Sequence, residues 1–232
     1  THGLRDLVAD ARAWIDLLGA RNDVGDVYLL GHSEGTLIAP MAAPGRVDIA
    51  GLILICPFIQ PTEKLLLAQA REGERLLDSM GGFSGFAART ASRIFGRPLA
   101  AQQRLIKRLR ETDDTTIRFS GRKLPARSLR DLLNIDPRAI HEANNRPTLV
   151  LAAGKDIQCD PADGSAIAAL NPHATLVEEP NLTHLLREQE GPAGFASYRE
   201  QIKRPMSPLV AQHIIRWLNA RPNPKSPIQN PK

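Results

Sequence analysis

Two short runs in this chain are apolar from end to end: residues 49–56 (IAGLILIC) and residues 148–153 (TLVLAA). A strand with one wet face alternates polar and apolar side chains, whereas these runs offer water no face. They are too short for buried helices, and each stops at a breaker, Pro57 in one case and Gly154 in the other. Strands buried on both faces occur in parallel sheets that helices cover from both sides. Residues 26–30 (DVYLL) and 174–178 (ATLVE) read as two further strands. Helical periodicity fills the gaps. It runs over 4–19, where Leu4, Leu7, Val8, Ala11, Ile15 and Leu18 recur at helical spacing, and over 36–43. It returns over 208–218, where Val210, Ile214, Ile215 and Leu218 share a face. The pattern predicts an α/β fold with a parallel, doubly wound sheet.

Residues 61–146 interrupt that rhythm. They hold no convincing strand run, and 63–80, 99–111 and 127–133 read as helices. The expected organisation is therefore a core of 1–60 and 147–220, a helical insertion at 61–146 over one end of the sheet, and a flexible Pro-rich tail at 221–232. The insertion carries 17 Lys and Arg against 10 Asp and Glu, while the rest of the chain carries 13 against 15. The net charge of +5 is thus concentrated in one segment. Basic positions such as Arg104, Lys107, Arg108 and Arg110 default to a solvated helix face. Their excess also suits attraction of anionic substrates or an anionic surface.

Several classes are excluded. Aromatic residues make up only 4% of the chain, too few for a base-stacking platform, and no nucleic-acid partner is expected. No apolar run approaches the roughly 18 residues of a membrane span. Two cysteines build neither a disulfide framework nor a Cys-based zinc site. The six histidines show no metal-binding spacing, and no phosphate-cradling glycine motif occurs, so no metal and no cofactor are expected. Oligomeric state and compartment are not legible.

The segment richest in chemistry is Gly31-His32-Ser33-Glu34-Gly35, between a predicted strand and a predicted helix. In that context G-x-S-x-G forces a sharp reversal that strains the serine and pushes its hydroxyl out at the C-terminal edge of the sheet. Gly31 and Gly35 are expected to leave room for closely passing backbone. The Glu34 N–H, at the following helix N-terminus, can face a developing oxyanion. A serine nucleophile needs a base, and the base needs an orienting carboxylate. For this elbow the chain order is Ser, acid, His. Asp156 follows the TLVLAA strand and His184 follows the ATLVE strand, so both return to the edge that carries Ser33.

These segments together resemble the α/β-hydrolase superfamily, in its serine esterase and serine-aminopeptidase-like branch. GHSEG is similar to the nucleophile elbow, AGKDIQC to the acid loop and PNLTH to the histidine loop. The resemblance implies Ser33 as nucleophile, Asp156 as acid and His184 as base, with 61–146 as the helical cap. It implies a small-molecule ester or acyl substrate, without excluding peptidase, thioesterase or acyltransferase chemistry. It also implies strands and a second oxyanion-loop donor ahead of the elbow. Neither is found in this sequence, so the sheet is expected to be partial, with the elbow strand at an exposed edge. An inactive hydrolase-like fragment or a binding module is the alternative.

Rival assignments remain at single positions. Asp160 and Asp163 compete as the acid, and read otherwise as a turn and a helix N-cap. His173 competes as the base, and reads otherwise as a solvated turn residue. His32 is expected to point away from the base, and His141 and His213 to be surface or packing residues on helices. Glu34 either tunes the site or complements the helix dipole. Cys56 reads as a small core residue, and it could pair with Cys159 only if the two approach closely.

Overall fold

A computed structural model describes residues 2–221. Most of the expected tail at 221–232 lies outside the described residues. Helix α1 spans Leu4–Gly19, β1 Val27–His32, α2 Gly35–Ala42 and β2 Ile49–Ile55. Helices α3 (Thr62–Ser79), α4 (Gly82–Phe95) and α5 (Pro98–Arg110) follow, then the hairpin β3 (Ile117–Phe119) and β4 (Arg122–Leu124). Helices α6 (Ala126–Asn134) and α7 (Pro137–Glu142) lead into β5 (Thr148–Ala153). Helix α8 (Ala162–Leu170), β6 (Ala174–Glu179), α9 (Tyr198–Gln201) and α10 (Pro208–Asn219) complete the described chain.

The main sheet has four strands in the order β1-β2-β5-β6, and every pairing is parallel. Its two central strands are the apolar runs. Side chains on them alternate between two cores because successive residues point to opposite faces. Leu52, Leu54 and Val150 pack with Ile15 of α1, Ala39 and Ala42 of α2 and Ile167 of α8. Ile53, Ile55, Leu149 and Leu151 pack with Val210 and Trp217 of α10 on the other face. The sheet is doubly covered, as the unbroken apolar runs require. It is also partial: β1 is an edge strand, and Leu30 on it is 54% exposed.

The segment between β2 and β5 is mostly helical and has a small core of its own, Leu109, Ile117 and Ala126 with Leu105, Leu124, Leu129 and Leu133 against them. It departs from expectation by containing the β3–β4 hairpin, whose three-residue strands are too short to show a period. Helix α4 was also unmarked in the sequence. Its glycines and small residues dilute the apolar stripe. Helix α7 packs against α2 and α8, in the helical layer of the main sheet. On α1 the stripe is narrower than expected: Leu4 and Ile15 are buried, but Leu18 faces solvent. No helix among the described residues is long and apolar enough to cross a membrane.

His141, on α7, is a packing residue. It is buried, and its Nε2 lies 3.2 Å from the Phe58 carbonyl. Burial pushes its pKa down to about 4, from 6.5. The unfolded chain therefore takes the proton more readily. The stability held above pH 6.5 is lost as pH falls toward 4. A His141→Gln variant should flatten that dependence, by up to about 3 kcal/mol at pH 4. Urea midpoints at pH 7, 5.5 and 4 test this, and parallel curves for the two proteins would refute it.

Candidate active site

The C-terminal ends of β1, β2 and β5 and the loop after β6 meet at one edge of the sheet, and Ser33, Asp156 and His184 follow those elements. The β1–β2 pairing continues one residue past the strand, with Ser33 N–H donating to the Ile55 carbonyl at 3.0 Å. Ser33 then turns into the left-handed region, at φ +54°. An L-residue pays for that conformation, and the neighbouring bonds hold it there. Thr36 clamps the far side, since its N–H and its hydroxyl both donate to the Ser33 carbonyl. Helix α2 starts at once, and the Glu34 N–H has no backbone acceptor among the described residues. Such first-turn donors are the unused ones of a helix.

Gly31 is needed for space. A Cβ there would fall 2.1 Å from the Gly35 carbonyl oxygen. Gly35 differs from expectation: a Cβ on it would meet nothing within 4 Å, so only its backbone is crowded, by Gly31.

Asp156 follows β5 and is buried. Its Oδ1 accepts the N–H groups of Gln158 (2.7 Å) and Cys159 (2.9 Å). Its Oδ2 lies 2.8 Å from His184 Nδ1, and His184 is buried as well. The carboxylate oxygen is placed to accept the Nδ1–H of the ring. His184 sits in a tight turn after β6. That turn is closed by the Leu182–Glu188 bridge and by Leu186 at φ +60°.

The rival residues lie apart from this pair. Asp160 Oδ1 accepts the Ala162 N–H, a turn as expected. Asp163 is not an N-cap. It lies inside the first turn of α8, buried, and its carboxylate accepts the Ile59 N–H at 3.1 Å and the Gln60 amide at 3.0 Å. It therefore ties the loop after β2 to α8. His173 is exposed, and His213 Nε2 meets Glu179 at 2.5 Å on the α10 side.

His32 corrects the sequence reading. Instead of pointing away, its ring lies 4.8 Å from the His184 ring, and its Nε2 is 2.9 Å from the His184 carbonyl. Burial and the neighbouring His184 lower its pKa, and its Nε2–H donates to the His184 carbonyl. Glu34 is part-buried, and desolvation raises its carboxyl pKa.

Cys56 is a core residue, as read from the sequence, but its backbone conformation was not foreseen. Cys56, at the end of β2, adopts φ +50°, a second left-handed residue beside Ser33. Both Cys56 and Cys159 are buried free thiols. Burial first, and then the Asp156 charge, pushes both thiols up. The neighbouring Ser33 hydroxyl offsets part of the Cys159 shift. Side-chain ligand atoms of His32, Cys56 and His184 come within 4.8 Å of one another, as do those of Asp156, Cys159 and His184. Histidine spacing could not reveal these groups, because their members come from separate loops. Their chemistry fits a metal poorly: a thiol held protonated is a weak ligand, and His184 Nδ1 is engaged by Asp156.

A cavity of about 300 Å³ opens beside Asp156 and Cys159, walled on the far side by Gln60, Lys64, Leu65, Ala68 and Arg75. Helix α3, from the segment between β2 and β5, thus forms one wall of a space that reaches the loop after β5.

The chain belongs to the serine aminopeptidase S33 family of hydrolases, whose sequence pattern matches residues 1–190. It is 25% identical over 217 residues to the esterase EstD of Thermotoga maritima, a match covering 92% of this chain and 48% of that one. The chain therefore spans about half the length of that relative. Among solved structures it resembles Est1E from Butyrivibrio proteoclasticus, with a TM-score of 0.53 and 19% identity over 94% of this chain and 72% of that one. A thermophilic esterase from Thermogutta terrifontis gives 0.52 and 22%, over 95% and 73%. These likenesses establish the α/β-hydrolase fold.

The two glycines of the elbow should respond differently to alanine. Gly31→Ala should cost about 1–3 kcal/mol, as overpacking does. Gly35→Ala should be neutral or stabilise α2 by up to about 1 kcal/mol. Denaturant unfolding of both variants checks this, and equal losses would contradict the crowding seen at Gly31.

Proposed function

We propose that this hydrolase cleaves carboxylic esters through an acyl-enzyme, with Ser33, His184 and Asp156 as its triad. The observation that carries this reading is the buried 2.8 Å contact between Asp156 and His184 at the sheet edge that bears the strained Ser33. The names of EstD and Est1E favour an ester over an amide.

In this reading His184 Nε2 accepts the Ser33 proton as Oγ attacks the carbonyl carbon. Asp156 holds the imidazole in the Nδ1–H tautomer and stabilises the imidazolium. The Glu34 N–H donates to the oxyanion. The imidazolium then protonates the leaving alkoxide. Water, deprotonated by the same nitrogen, releases the acid. Residues 61–146 act as a cap, with α3 bounding the pocket that holds part of the substrate. The cations exposed on that segment, among them Arg118, Arg122 and Lys123, favour anionic substrates.

A fluorophosphonate probe tests the triad. Labelling should map to Ser33 and vanish in Ser33→Ala and His184→Ala, and Asp156→Asn should lower turnover by about 10⁴-fold. A folded protein that is not labelled, or is labelled elsewhere, overturns the reading in favour of a binding module. For an anionic ester such as a succinate monoester, KM should rise with salt, since a Debye length of about 8 Å at physiological strength screens exposed charge. A KM flat from low to high salt removes the electrostatic part of the proposal.

A further inference from the structure

A connected group of polar side chains, tied also to the Arg187, Gly194 and Pro192 carbonyls, stands behind the His184 turn and takes no part in the chemistry above. Its centre is Gln201, on α9, with no exposed surface. The Gln201 amide donates to Gln189 Oε1 at 2.6 Å and to the Ser197 hydroxyl at 2.7 Å. Its carbonyl oxygen accepts the Thr183 hydroxyl at 2.6 Å. Ser197 in turn donates to Gln189 Oε1 at 2.7 Å. Thr183 is also fully buried. Both amide protons and the oxygen of Gln201 are thus used, with no water needed to complete them.

Polar groups cost free energy to bury, and a fully connected network confines its members to one arrangement. Here the confined member is Thr183, the residue directly before His184. Its N–H donates to the Arg187 carbonyl, and its own carbonyl accepts the Leu186 N–H, which closes the turn. The turn is held on its other side by the acid loop, through Lys155 N–H to the Leu182 carbonyl at 2.9 Å. Gln201 therefore supplies the rear anchor of a turn whose front anchor is the acid loop. Ser197 and Gln201 lie beyond residues 1–190, the part that matches the family pattern.

We infer that Gln201 is a positioning residue: through Thr183 it fixes the backbone of His184, and so the alignment of the imidazole between Asp156 and Ser33. The inference rests on the triad reading above. Misalignment by about 1 Å can cost on the order of 10²-fold in turnover. A residue that only filled space would alter the melting temperature and the fraction of labelled protein, but not the rate per labelled site.

The test compares wild type with Gln201→Leu, Thr183→Val and Thr183→Ser, using p-nitrophenyl acetate turnover per fluorophosphonate-labelled site. Gln201→Leu and Thr183→Val should lower kcat by about 10- to 100-fold with KM little changed, and Thr183→Ser should restore it. The low-field proton resonance of the His184–Asp156 bond should weaken in the first two variants and return in the third. Thr183→Val removes one hydroxyl at constant shape, so it carries the test if Gln201→Leu does not fold. Folded variants with wild-type kcat per labelled site overturn the positioning role and leave the triad standing. A wild type with no His184-dependent labelling at Ser33 overturns the triad, and this inference with it.

Discussion

The structure depends on the burial of β2 and β5 on both faces. Neither strand offers a wet side, so helices must lie above and below them. Parallel strands under that constraint leave the sheet at the same edge each time, and every crossover starts there. The ends of β1, β2 and β5 consequently bring Ser33, Cys56 and Asp156 together from positions far apart in sequence. The left-handed conformations of Ser33 and Cys56 mark where adjacent strands turn off the sheet. Each still donates its N–H to the next strand, so the ladder on one side offsets strain on the other.

Burial also sets the electrostatics of that edge. A carboxylate withdrawn from water must be given donors, and Asp156 has two backbone N–H groups and an imidazole. Burial first, and the Asp156 charge after it, hold the thiols of Cys56 and Cys159 protonated. His184 donates from its ring to Asp156, accepts at its carbonyl from His32, and is held at its turn by the Thr183–Gln201 bond. Its ring, backbone and flanking residue are therefore all held, from three separate parts of the chain.

Much of this was legible in the sequence. The strand runs, the elbow and the order of Ser33, Asp156 and His184 are local signals, because period, breaker residues and motif spacing act within a few residues. The β3–β4 hairpin was not legible, since three-residue strands carry no period. The contact of His32 with His184 was hidden for a different reason. A residue beside a reversal faces whichever loop the tertiary fold delivers, and the direction of its side chain follows from that loop.

The sequence by itself determined a parallel, doubly covered sheet and the edge at which the candidate site residues must emerge. Apolar runs have no stable alternative to burial, and glycine at position 31 admits a reversal that a side chain would block. Only the tertiary structure decided what surrounds those residues. The packing of distant loops put Asp163 under the chain after β2, His32 against His184, and Gln201 behind Thr183. Such buried polar pairings are fixed by the need to satisfy each desolvated donor and acceptor, a requirement that exists only once the loops have met.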